Sequence, residues 1–185
     1  MTRIDRWDWS VLSCLSLDGE LIPGYLERLL NGDDGEQERA FGVLYCEVAN
    51  QGQLYSAGAA SVDVAIRHLQ EGGRLPARAV SLLEAILSAR DPGLSVTVDG
   101  VDRDAAQYAR QRILDGVPSL IASSRTEGLE WFREFCFLVP QLSDSSPEVV
   151  DFLRHSVTDL EGERRKLCLE ALEEAEEVLQ EGHMP

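Results

Sequence analysis

An all-α fold with no sheet is what three features of this 185-residue sequence predict. Apolar residues recur at spacings of three and four along nearly the whole chain, the period of an amphipathic helix. Acidic, serine and proline residues stand where such patterns begin, and glycine-containing turns stand where they end. No convincing strand occurs, although SVTV at 95–98 could form a short extended piece inside a loop.

The elements follow in order. Ile4, Trp7, Val11 and Leu15 make the stripe of a first helix, and Ile22, Tyr25, Leu26, Leu29 and Leu30 that of a second, which stops at NGDDG. Asp34, three before Gln37, has the spacing of a capping box and opens a third helix with Ala40, Phe41, Leu44, Tyr45 and Val48 on one face. After NQGQLYSAGAA at 50–60, a fourth helix carries Val62, Ala65, Ile66 and Leu69 and ends at EGG. Pro76 suits the first turn of a fifth, striped by Val80, Leu83, Ile86 and Leu87. DPGLSVTVDG at 91–100 reads as a loop, and Asp102 as the cap that restarts the helical pattern. That pattern is interrupted near Gly116, Val117 and Pro118. Leu129, Phe132, Phe135, Cys136 and Val139 mark a helix ended by Pro140, and Ser146-Pro147-Glu148 opens the next. A last helix runs over about 160–179, giving roughly nine or ten short helices in one domain, 1–185. Such helices suit a bundle, or pairs stacked as a solenoid with a period of about 40 residues.

Composition limits function. Hydrophobic residues are 44% and charged residues 27%, ordinary for a globular chain. The 33 acidic residues outnumber the 17 basic ones and give a net charge of −16, and Lys166 is the one lysine. Phosphate backbones and anionic membranes would repel such a chain, whereas basic partners would be attracted. VLSC at 11–14 has the look of a lipoprotein cleavage site, but Asp5 and Asp8 break the apolar stretch it would need. No apolar run reaches the length of a membrane span. Cys14, Cys46, Cys136 and Cys168 lie far apart within helical patterns, which predicts buried, reduced thiols and a cytoplasmic protein.

No cofactor and no metal site is expected. His68, His155 and His183 are isolated, and read as surface or flanking residues. DGVDRD at 99–104 lacks the glutamate a calcium loop would need, since position 110 is Arg110. Trp7 lies on an apolar stripe and reads as core. A basic stripe through Arg103, Arg110, Arg112 and Arg125 is interspersed with Asp102, Asp104 and Asp115. In NQGQLY, Gly52 suits the positive φ of a helix terminus and Tyr55 can bury its ring, so Gln51, Gly52 and Tyr55 read as a structural turn. The small residues Ala57, Gly58, Ala59 and Ala60 let the following helix start close to a neighbour.

ERAFGVLYCEVANQGQLYSAGAASVDVAIRHL resembles a segment common in bacterial HEAT-repeat proteins, in which QG, two residues and Tyr follow a helix and precede small residues. Gln51, Gly52, Tyr55 and Ala57 match, whereas Asn50 and Ser56 replace the usual His and Pro. GVPSLIA at 116–122 is similar to that family's GLPxLLxLL step. The resemblance implies a right-handed α-solenoid of helical hairpins that binds another protein and has no catalytic residues. HEAT-like proteins of this size resemble immunity proteins, which neutralise toxins by direct binding, and an acidic chain suits a basic, nuclease-like toxin. A general adaptor is the alternative of the same class, and a HEAT-like DNA glycosylase the alternative of another, which the net charge opposes. The expected docking face is on the last helix, where Glu170, Glu173, Glu174, Glu177 and Glu181 lie opposite the apolar stripe. Like charges one turn apart near a helix C-terminus cost stability rather than add it.

Overall fold

A computed structural model describes residues 4–181, the last of them by its backbone alone. Among these residues the chain forms eight α-helices, four 3₁₀ turns and one small hairpin. The prevailing helical reading holds, and the expectation of no sheet is corrected. Two compact units are present, Met1–Gly116 and Val117–Pro185.

In the first unit α1 (Ile22–Asn31) packs mainly on α2 (Asp34–Val48), and α2 also on α4 (Ala77–Leu87). The capping box sits one residue earlier than its expected place. The Asp33 carboxylate accepts from the Glu36 amide at 2.8 Å, and the Glu36 carboxylate accepts from the Asp33 amide at 3.1 Å. At the centre lies α3 (Ser56–Gln70), buried on nearly every side from Ser56 to Leu69. A helix without a wet face must be lined by small residues where neighbours approach. Gly58 shows this directly, because a Cβ there would lie 2.8 Å from the Leu54 side chain and 3.0 Å from the Val48 carbonyl.

The N-terminal segment is not the expected helix. It consists of 3₁₀ turns at Ile4–Arg6, Trp9–Val11 and Gly19–Leu21. The stripe fails because Trp7 and Trp9 are both buried, and residues two apart point to opposite sides of an α-helix. Val11 and Leu15, expected inside, are 74% and 45% exposed.

Ser95–Val98 (β1) and Val101–Asp104 (β2) pair antiparallel around Asp99 and Gly100. Both loop residues have positive φ, 52° and 77°, as a two-residue hairpin turn of matching twist requires. Val96 and Val98 are buried, and β1 packs against α3. Asp102 therefore is not a cap: it pairs with Thr97 across the hairpin, accepting its hydroxyl at 2.6 Å. The cap of α5 (Ala105–Ser124) is Asp104, whose carboxylate accepts from the Gln107 amide at 2.8 Å.

The expected break near Pro118 does not occur, since proline removes one donor but keeps a helical φ. α5 contributes residues up to Gly116 to the first unit and the remainder to the second. In the second unit α6 (Leu129–Leu142) packs mainly on α8 (Gly162–Glu181), and α7 (Pro147–Ser156) packs on both. Phe132, Phe135, Val139, Val149, Leu153 and Cys168 fill its core.

Candidate protein-interaction face

The acidic face belongs to α8. Leu167, Cys168, Ala171, Leu172 and Ala175 turn inward, at the spacing the sequence predicts. Glu170, Glu173, Glu174 and Glu177 are all exposed, and the side chain of Glu181 lies outside the described residues. Glu170 lies 3.8 Å from Lys166. Among the described residues, Glu173, Glu174 and Glu177 have no cationic partner, and no basic residue stands in the last turn of α8. Leu169 borders this face and is 48% exposed, whereas Val178, on the opposite side of the helix beside the apolar stripe, is 38% exposed. Leu169, Leu172, Glu173, Glu176, Glu177 and Gln180 line a shallow depression of about 550 Å³. Leu169, Glu176 and Gln180 were not singled out in the sequence, although their helical spacing to Glu173 and Glu177 places them on one side of α8. Glu176 is already neutralised by Arg154 of α7, at 3.0 Å.

The NQGQLY turn differs from its expectation in which side chain it buries. Gly52 has φ 73°, and Gln51 shares the left-handed conformation with φ 49°. The buried side chain is Leu54, 1% exposed, whereas Tyr55 is only half-buried. The reason is a short backbone ladder that points Leu54 inward. The Leu54 amide donates to the Arg90 carbonyl at 3.1 Å, and the Arg90 amide to the Gly52 carbonyl at 2.6 Å.

Two buried carboxylates carry most of the electrostatic order in the first unit. Asp63 of α3 is wholly enclosed. It accepts both bonds of the Arg67 Nε–H, at 2.9 and 3.0 Å, the Arg112 Nε–H at 2.7 Å and the Trp7 indole N–H at 3.2 Å. Burial would raise its pKa, but hydrogen bonds and charge from Arg67 and Arg112 override that and hold it below the usual carboxylate range. Burial and Asp63 together push the Tyr108 hydroxyl up to about 12. Glu47 of α2 clasps the N-terminal segment, accepting the Ser16 amide at 2.8 Å, the Ser16 hydroxyl at 2.7 Å and the Leu17 amide at 2.9 Å. Burial opposes its ionisation, and those donors lower its pKa nonetheless. An anion locked by two guanidiniums suits structure better than general-base chemistry, which needs a pKa near the working pH.

The remaining candidates are placed as follows. Burial pushes Cys136 up to about 12 and Cys168 to about 11, and burial with Glu47 and Asp18 nearby pushes Cys14 to about 11. These thiols are protonated at neutral pH and poor nucleophiles. The expectation of four buried cysteines is corrected at Cys46, which is exposed on α2, and at Cys14, which is half-buried outside any α-helix. His68 is buried rather than superficial, with Nε2 3.1 Å from the Arg74 carbonyl, and His155 is exposed. His183 lies outside the described residues. Arg112 of the basic stripe is committed to Asp63 and to Asp115 at 2.9 Å, with its side chain 14% exposed. Among the described residues no cluster of metal-ligating side chains occurs, and no helix is long and apolar enough to cross a membrane. Comparison with protein-family models, with curated proteins and with solved structures finds no match.

Proposed function

We propose that this chain is a non-enzymatic binding protein of HEAT-like helical hairpins, and that α8 docks a basic protein partner. One observation carries the reading. Among the described residues, Glu173, Glu174 and Glu177 are exposed without cationic partners beside the exposed Leu169, a charge arrangement that costs the isolated chain stability. A complementary basic surface would relieve that repulsion, and apolar contact with Leu169 would add affinity. The net charge of −16 extends the same complementarity over the surface and favours fast association. In its specific form, the chain is an immunity-type protein that binds a basic, nuclease-like toxin domain. A general adaptor would use the same face, and a toxin gene directly upstream distinguishes the first from the second.

The test replaces Glu170, Glu173, Glu174 and Glu177 by glutamine and measures binding to the neighbouring gene product at low and high salt. The fold should survive unchanged. The association rate should fall, and the residual affinity should depend less on ionic strength. Unchanged association kinetics would remove the site from α8, and tight binding to DNA would restore the glycosylase alternative.

A further inference from the structure

A cavity of about 710 Å³ opens in the second unit, within the range of about 300–1,000 Å³ usual for small-molecule sites. Its apolar lining includes Phe132 of α6 and Phe152 of α7. Above these rings lie two guanidiniums, Arg164 at 4.9 Å from the Phe132 centroid and Arg125 at 5.4 Å from that of Phe152. Arg164 is further fixed by donating to the backbone carbonyls of Ser124 and Glu127. Neither arginine is paired with a carboxylate among the described residues, in a chain where acids outnumber bases 33 to 17. Carboxylates are nonetheless at hand. Glu148, Asp151 and His155 project from one face of α7 into the same cavity, at helical spacing. Asp151 is tied to Arg154 at 3.3 Å, but Glu148 has no cationic partner among the described residues. The His155 Nδ1–H donates to the Asp151 carbonyl at 2.6 Å.

The cavity is thus bipolar: guanidiniums held by ring faces, two carboxylates without a cationic partner among the described residues, Glu148 on α7 and Asp159 beyond its end, and an apolar floor. We infer that it binds a small zwitterion, an amino acid or short peptide with free termini and apolar side chains. The ligand carboxylate meets Arg125, its ammonium meets Glu148, and its side chains rest on Phe132 and Phe152. Charge-assisted bonds at both ends explain why the two walls do not neutralise each other internally. This site is independent of the α8 face.

Calorimetric titration with the dipeptide Leu-Phe, its N-acetyl form and its C-terminal amide tests the assignment. The free dipeptide should bind, and blocking either end should weaken binding about tenfold or more. Arg125→Ala should erase the difference between free and amidated peptide, and Glu148→Gln that between free and acetylated peptide. Both side chains are exposed, and circular dichroism checks that each variant keeps its helices. The quadruple glutamine variant of α8 should bind the dipeptide as wild type does. No heat at about 10 mM peptide, or equal affinity for free and blocked forms, overturns the proposal.

Discussion

Asp63 shows how much one side chain can organise. Asp63→Asn keeps the volume but leaves Arg67 and Arg112 without their buried counter-charge, which should cost about 3–5 kcal/mol in urea unfolding. Glu47→Gln exchanges one set of donors and acceptors for a poorer one and should cost about 1–3 kcal/mol. Both carboxylates have folded pKa values below their ordinary ones. Their stabilising contribution is therefore full above the unfolded value, near pH 4, and is lost as pH falls through the lower folded value. The melting temperature should be flat with respect to these groups near neutrality and fall steeply below about pH 4, and Asp63→Asn should blunt that fall. Nothing local in the sequence marked Asp63. Its partners Trp7 and Arg112 are 56 and 49 positions away, so only the tertiary fold assembles them.

The elements that were legible are those whose cause is local. Periodicity placed α1, α2, α4, α6, α7 and α8 to within a few residues, because each has one apolar face, and α2, α4 and α7 carry a start signal as well. The hairpin was missed although its turn, Asp99-Gly100, is a strong local signal; the four-residue strands on either side were too short to show a period. Replacing both turn residues by alanine should cost about 2 kcal/mol, since each must hold a left-handed conformation. That loss should appear first as faster amide exchange at Val96 and Val98. In the NQGQLY turn, Gly52→Val should destabilise by about 1–2 kcal/mol through its positive φ. Leu54→Ala should cost about 2–5 kcal/mol by emptying a buried site. Tyr55→Ala, at a half-buried position, should cost less than Leu54→Ala; the reverse order in thermal melts would return the aromatic residue to the centre of the turn.

At the scale of the whole molecule, the excess of negative charge is the property that the sequence made plainest. A net charge of −16 is self-repelling in the folded state and less so in the expanded one. Raising NaCl from about 0.02 to about 0.5 M should therefore raise the melting temperature, by about 3 °C for each 1 kcal/mol of repulsion screened. The quadruple glutamine variant of α8 should show a smaller salt response, because four of those charges are gone. A melting temperature that falls with salt would mean that ion pairs such as Asp63–Arg112 outweigh the repulsion. Of the two candidate sites, the α8 face was readable because its glutamates share one helix. The bipolar cavity was not, since its charged walls come from the turn after α5, from α7 and from α8, and meet only after folding.

The Glu47 clasp has a kinetic corollary. Its bonds to Ser16 and Leu17, and the mutual Ser13–Ser56 hydroxyl contact at 2.9 Å, join a segment with no α-helix of its own to α2 and α3. Such a segment cannot dock until those two helices have formed and met. It should be absent from the folding transition state and leave first on the way out. Glu47→Gln and Ser56→Ala are then expected to accelerate unfolding while leaving the refolding limb of the chevron nearly unmoved. The clasp would thus govern how long the folded molecule lasts, and hardly at all how quickly it forms.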